Sequence, residues 1–100
     1  MLSEVKQNTG CSTPPSDVEL ADAIAAGDHD AFRTLMQRYN RRLYRTARSI
    51  LKEDSEAEDA LQNAYILVYR EIGKFRGEAK LSTWLTRIVI NEALSYRRKR

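Results

Sequence analysis

At 100 residues the chain has the size of a single domain, and its 42% hydrophobic and 31% charged residues exclude a disordered or bilayer-embedded protein. A net charge of +3 is compatible with nucleic acid but too mild to establish it. No apolar run approaches the roughly 20 residues that span a bilayer, Met1 to Gly10 has neither the basic nor the apolar part of a secretory signal, and the single cysteine, Cys11, excludes an internal disulfide, so a cytoplasmic protein is expected.

In chain order, residues 1–16 are polar, without periodicity, and end in Thr13-Pro14-Pro15-Ser16, which reads as a flexible tail. A first helix fits Asp17 to Ala26, with Leu20, Ala21 and Ile24 on one face, Ser16 or Asp17 as N-cap and Gly27 as its stop. A second begins at Asp28-His29-Asp30 and runs to about Leu51, with Phe32, Leu35, Met36, Tyr39, Leu43, Ala47 and Ile50 as its apolar stripe. Ser55 and Glu58 have the spacing of a capping box and open a third helix, whose inner face is Ala57, Ala60, Leu61, Ala64, Tyr65, Val68 and Ile72. Gly73 is placed to end it in a left-handed turn. After the loop 73–80, a fourth helix starts at Ser82 or Thr83, buries Trp84, Leu85, Ile88, Val89, Ala93 and Tyr96, and ends in Arg97-Arg98-Lys99-Arg100. The fold class is therefore all-α: a compact bundle of about four helices over residues 17–96, behind a disordered N-terminal tail.

Charge is distributed in blocks: five acids and no Lys or Arg over 17–32, seven bases over 33–52, five acids over 53–59, and five bases against Glu92 over 87–100. Each block alone is a solvated helix face; together they offer two kinds of partner surfaces of opposite sign. No catalytic constellation is visible, since the only histidine, His29, lies among acids at a helix start. Glu56, Glu58 and Asp59 crowd a first turn where the helix dipole favours anions, which explains them without a metal. Neither an enzyme nor a cofactor or metal is expected.

Ser55-Glu56-Ala57-Glu58-Asp59-Ala60-Leu61-Gln62-Asn63-Ala64-Tyr65, then Phe75-Arg76-Gly77-Glu78-Ala79-Lys80-Leu81-Ser82-Thr83-Trp84-Leu85-Thr86-Arg87-Ile88, then Asn91-Glu92-Ala93-Leu94 resemble region 2 of the bacterial extracytoplasmic-function sigma factors. The likeness reaches back through Gly27-Asp28-His29-Asp30-Ala31-Phe32 and Leu35-Tyr39, and covers about 84 residues. It implies a compact helical domain that binds core RNA polymerase and recognises and melts the -10 promoter element at transcription initiation. It also implies a longer protein, with 97–100 starting a basic linker to a C-terminal helix-turn-helix domain, and an anti-sigma factor as a further partner.

By the same resemblance, Asp59, Gln62 and Asn63 fall where the family contacts the clamp helices of the largest polymerase subunit, and at i, i+3 and i+4 they share a helical face. The family often has Glu at the Asn63 position, so one charge-assisted contact is expected to be weaker here. Phe75, Arg76, Gly77, Glu78 and Lys80 occupy the loop that holds an unstacked base of single-stranded promoter DNA, for which an aromatic surface beside positive charge is suited. Phe75 fits equally the role of loop anchor in the core, and Trp84 is assigned to the core. Arg87 and Asn91, one turn apart, with Arg97, Arg98 and Lys99, can follow phosphates; the terminal bases also fit a plain linker. Primary sigma factors carry more aromatics where this chain has Arg87 and Ile88, implying weaker strand opening. The alternatives are a regulatory decoy that binds polymerase or an anti-sigma factor without DNA, and a small helical enzyme.

Overall fold

Ser16 and Glu19 open the first helix of the computed structural model, which describes residues 14–99. The Glu19 N–H donates to Ser16 Oγ at 3.1 Å and the Ser16 N–H to Glu19 Oε1 at 2.8 Å, a complete capping box that settles the N-cap on Ser16. Helix α1 (Asp17–Ala25) buries Leu20, Ala21 and Ile24. Gly27 stops it at a φ of +100°, and the Gly27 and Asp28 amides donate to the carbonyls of Ile24 and Ala23. Most of the expected tail, with Cys11, lies outside the described residues; Pro14, Pro15 and Ser16 are exposed and non-helical.

Asp28 caps α2 (His29–Ile50), its Oδ1 accepting the Ala31 N–H at 3.1 Å. The buried row is Ala31, Leu35, Leu43 and Ala47, with Phe32 and Tyr39 half-buried on the same side. Helix α3 (Asp54–Glu71) starts one residue before Ser55, so the expected box does not form: Glu53 is the N-cap, without a side-chain hydrogen bond. The reason lies in α2. Arg48 donates through Nε to Asp54 Oδ1 at 2.8 Å and through Nη1 to the Leu51 carbonyl at 2.9 Å, while the Tyr44 hydroxyl donates to Asp54 Oδ1 at 2.9 Å. With Leu51 buried beneath it, the turn is closed from the neighbouring helix rather than from its own serine.

The C-terminal end of α3 also departs from expectation. Gly73 has no positive φ; the chain tightens instead into a 3-10 turn over Ile72–Lys74, and the Phe75 N–H donates to the Ile72 carbonyl at 3.0 Å. Burial of Ile72 and partial burial of Phe75 hold this turn against the core, which a left-handed exit at Gly73 would carry away. Helix α4 (Leu81–Lys99) opens at Leu81 rather than at Ser82 or Thr83, because Leu81 is itself a core residue and the Lys80 carbonyl already accepts the Trp84 N–H. It continues past Tyr96 through Arg97, Arg98 and Lys99, so these bases are helical.

Helices α2, α3 and α4 pack on one another pairwise, and α1 lies against α2 and the 3-10 turn. Ala57, Ala60 and Ala64 have no solvent exposure, so α3 approaches both neighbours closely over its small face. A main core joins all four helices, and a smaller cluster of Leu51, Ala60 and Ala93, capped by Ile50 and Tyr96, closes the end where α2 passes to α3. Among the described residues no polar or charged side chain is buried and no strand forms.

Candidate functional site

With Ala57, Ala60, Ala64 and Val68 turned inward, the opposite side of α3 must present its polar residues to solvent. Asp59, Gln62 and Asn63 are all exposed there, as a ridge between two depressions. Gln62 borders a cleft of about 230 Å³ towards α2, shared with Asn40, Tyr44 and Tyr65. Asn63 borders a groove of about 370 Å³ towards α4, shared with Glu92, Ser95, Tyr96 and Lys99. Asp59 is tied to that helix: the Tyr96 hydroxyl donates to its Oδ2 at 3.1 Å.

The ridge extends further than the sequence reading carried it. Ile66 is 57% and Tyr69 39% exposed, four and seven residues beyond Gln62 on the same side. Tyr69 stacks on His29 of α2 at 5.9 Å between ring centroids, and Phe32 sets its edge against both Tyr69 and Tyr65, at 5.2 and 6.2 Å. The signal was available, since both are large apolar residues out of phase with the buried stripe. Tyr65 donates to Asn40 Oδ1 at 3.0 Å, and burial pushes its phenol up to about 12.

At the other end of α3, Phe75 is half-buried, with its ring 5.7 Å from that of Trp84 and tilted by 54°. Both rings pack against the main core while keeping an exposed part. Phe75 is thus anchored on the core while part of its ring stays exposed, and the core assignment of Trp84 holds for only part of its surface. A cleft of about 220 Å³ on one side of Phe75 is lined by Arg76, Trp84 and Arg87. A larger cleft of about 590 Å³ on its other side is lined by Gly77, Lys80, Tyr39 and Arg42. Glu78 borders both. Gly77, at a φ of +78°, makes the bend that separates Arg76 from Lys80.

The far wall of the larger cleft is fixed by Asp17, whose Oδ1 accepts Arg38 Nη1 at 3.0 Å and whose Oδ2 accepts the Tyr39 hydroxyl at 2.6 Å. Burial, then this bond to Asp17, pushes the Tyr39 phenol up to about 12. Lys74 is occupied by Glu71 at 2.9 Å, which holds that carboxyl below its usual range, whereas Arg76, Lys80, Arg87 and Arg42 have no ion pair among the described residues. Arg42 was hidden from sequence reasoning in a long basic run.

The loop therefore brings Phe75, Arg76, Gly77, Lys80 and Arg87 together. Asn91 continues the exposed side of α4 one turn beyond Arg87. Arg97 and Arg98 are exposed but lie roughly 15 Å further along the same helix, apart from the clefts. Among the described residues no group of His, Cys, Asp and Glu has the arrangement of a metal site, and no helix is long and apolar enough to cross a membrane.

Residues 35–100 match the family described as Sigma-70 region 2. The ECF RNA polymerase sigma factor SigM of Mycobacterium tuberculosis is 44% identical over 84 residues, which are 84% of this chain and 43% of that protein. The ECF RNA polymerase sigma-E factor of Escherichia coli is 33% identical over 81 residues, 81% of this chain and 42% of that one. The chain thus spans less than half the length of these curated relatives. A solved NMR structure, an engineered region 2 of sigmaE in complex with GTAAAA, superposes with a TM-score of 0.78 at 29% identity, over 92% of this chain and 93% of that one.

Proposed function

Because the chain belongs to the Sigma-70 region 2 family and is a region 2 domain of the extracytoplasmic-function type, we propose that it docks on core RNA polymerase and captures single-stranded -10 promoter DNA during initiation. Its mechanism is binding. The α3 ridge, from Asp59 through Gln62 and Asn63 to Ile66 and Tyr69, meets the clamp helices of the largest polymerase subunit. Contact there places the loop 75–80 over the promoter, and capture of an unstacked base shifts the duplex towards the open state. Capture must offset about a few kcal/mol of unstacking per base, which favours an aromatic surface with cations beside it.

The observation that carries this reading is that Phe75 forms a wall of two clefts, each holding cations without an ion pair among the described residues: Arg76 and Arg87 on one side, Lys80 and Arg42 on the other. A connector loop has no need of such charges. Arg87 and Asn91 extend the track along α4, and Arg97 and Arg98 add distant phosphate contacts or lead into whatever follows. The acidic start of α3 is also a fitting target for an anti-sigma factor that competes with polymerase, and all of these partners meet the protein in the cytoplasm.

A fluorescent base analogue placed in turn at each position of the -10 element, in complexes with core polymerase, tests the loop. The chain should unstack one position far more than its neighbours. The combined variant Arg76→Ala, Lys80→Ala should lose that contrast while retaining polymerase. Equal signals at every position, or no change in the variant, would return the loop to a purely structural role.

A further inference from the structure

We propose that Tyr96 is a positioning residue for the polymerase interface, holding the Asp59 carboxylate in a single orientation from the neighbouring helix. The proposal rests on the assignment of the α3 ridge to polymerase. Asp59 belongs to a run with Glu53, Asp54, Glu56 and Glu58, five acids in residues 53–59. Repulsion within such a run and exposure to water leave a short carboxylate free to sample several rotamers, and a binding partner must then order it.

Two of these carboxylates are anchored by phenols of other helices. Asp54 is taken by Tyr44 and Arg48, which close the turn from α2 to α3. Asp59 is taken by Tyr96, 37 residues away in sequence, and this bond closes no turn or helix end. The Tyr96 ring is half-buried against the cluster of Leu51, Ala60 and Ala93, so apolar packing sets where its hydroxyl arrives. The bond occupies Oδ2; among the described residues Oδ1 accepts no side-chain hydrogen bond, and remains for a donor from outside. The same phenol, with Asn63, Glu92 and Lys99, lines the groove beside the ridge, so the Tyr96–Asp59 bond leads from a depression with further polar groups. The chemistry there suits a cationic or amide side chain carried on a helix.

Tyr96→Phe keeps the ring packing and deletes only the hydroxyl. Measured by titrating the chain into core RNA polymerase, it should weaken binding by about three- to tenfold, the range of a single coupled contact. Single-stranded promoter DNA binding should not change. Asp59→Ala should weaken polymerase binding at least as much, and adding Tyr96→Phe to Asp59→Ala should have no further effect, because the phenol acts on the interface through the Asp59 carboxylate. All titrations run below the melting midpoint of every variant, so that a small loss of stability does not enter the comparison. Additive effects of the two substitutions, or unchanged affinity in Tyr96→Phe where Asp59→Ala is weakened, overturn the positioning role and leave the interface standing. Unchanged affinity in Asp59→Ala overturns both.

Discussion

The α3 ridge and the 75–80 loop are both exposed and polar, yet they are built by opposite means. The ridge stands on one continuous helix over an inner row of Ala57, Ala60, Ala64 and Val68 with no exposure, and two of its side chains are held from neighbouring helices, Asp59 by Tyr96 of α4 and Tyr69 by His29 and Phe32 of α2. The loop follows a 3-10 turn, has a single left-handed glycine and one half-buried ring set against Trp84 of α4, and among the described residues its Arg76 and Lys80 have no ion pair. A surface that meets another protein gains from fixed geometry, since rotamers ordered in advance need not be ordered on contact. A site that must accept an extruded base gains from unsatisfied charge and a backbone that can bend. The difference also locates where mutation separates folding from binding.

The largest effect should come from the one ring that belongs to both core and cleft. Trp84→Ala should destabilise the domain by about 2–3 kcal/mol, below the 3–5 of a fully buried tryptophan because part of the ring is already wet. For a domain of this size that lowers the melting temperature by roughly 10–20 °C. A melting temperature equal to the parent's would place Trp84 wholly on the ligand side and sharpen the contrast with the ridge. Next comes the ridge itself: Asp59→Lys should cost about 1.5–3 kcal/mol of polymerase affinity in a pull-down or titration while circular dichroism stays unchanged. Loss of helical signal would mean that the ridge is not separable from the fold.

A smaller effect is expected at Gly77, where an added Cβ meets nothing within 4 Å but the φ of +78° disfavours it. Gly77→Ala should therefore cost about 1 kcal/mol by chemical denaturation, through the backbone alone. It should also weaken base capture more than polymerase binding. The smallest effect concerns alkali. Tyr39 beside the loop cleft and Tyr65 beside the ridge both have phenols raised to about 12, against about 10 when unfolded. A raised folded value means that their stabilisation is complete below about pH 10 and is lost as pH rises towards 12. Thermal melts across that window should fall in the parent and fall less steeply in Tyr39→Phe and Tyr65→Phe.

Helix existence and inner faces were legible because burial recurs with the helical period. Leu20, Ala21 and Ile24, or Ala57, Ala60, Leu61 and Ala64, are recognisable from a short window, and each is buried. The ends were less legible. Ser55 and Glu58 have the spacing of a capping box, but Arg48 and Tyr44 recruit Asp54 and start α3 one residue early. Gly73 offers a left-handed stop that Ile72 declines by staying in the core. Likewise Leu81 opens α4 because it is buried, although Ser82 and Thr83 have the better capping chemistry. In the last two cases a local preference of about 1 kcal/mol was outweighed by burial of a whole isoleucine or leucine, worth about 1.5–3 kcal/mol.

The sequence by itself determined an all-helical domain, the family to which its motifs belong, and that Asp59, Gln62 and Asn63 stand on the outer side of α3 and Phe75, Arg76 and Lys80 in the loop, because periodicity and motif spacing are properties of neighbours along the chain. Only the tertiary structure decided that Phe75 borders two clefts, that Arg42 from a distant helix lines one of them together with Lys80, and that Tyr96 holds Asp59. Those pairings join residues 38 and 37 positions apart, and their geometry follows from how the helices pack over the alanine face of α3, an arrangement that no local window of sequence records.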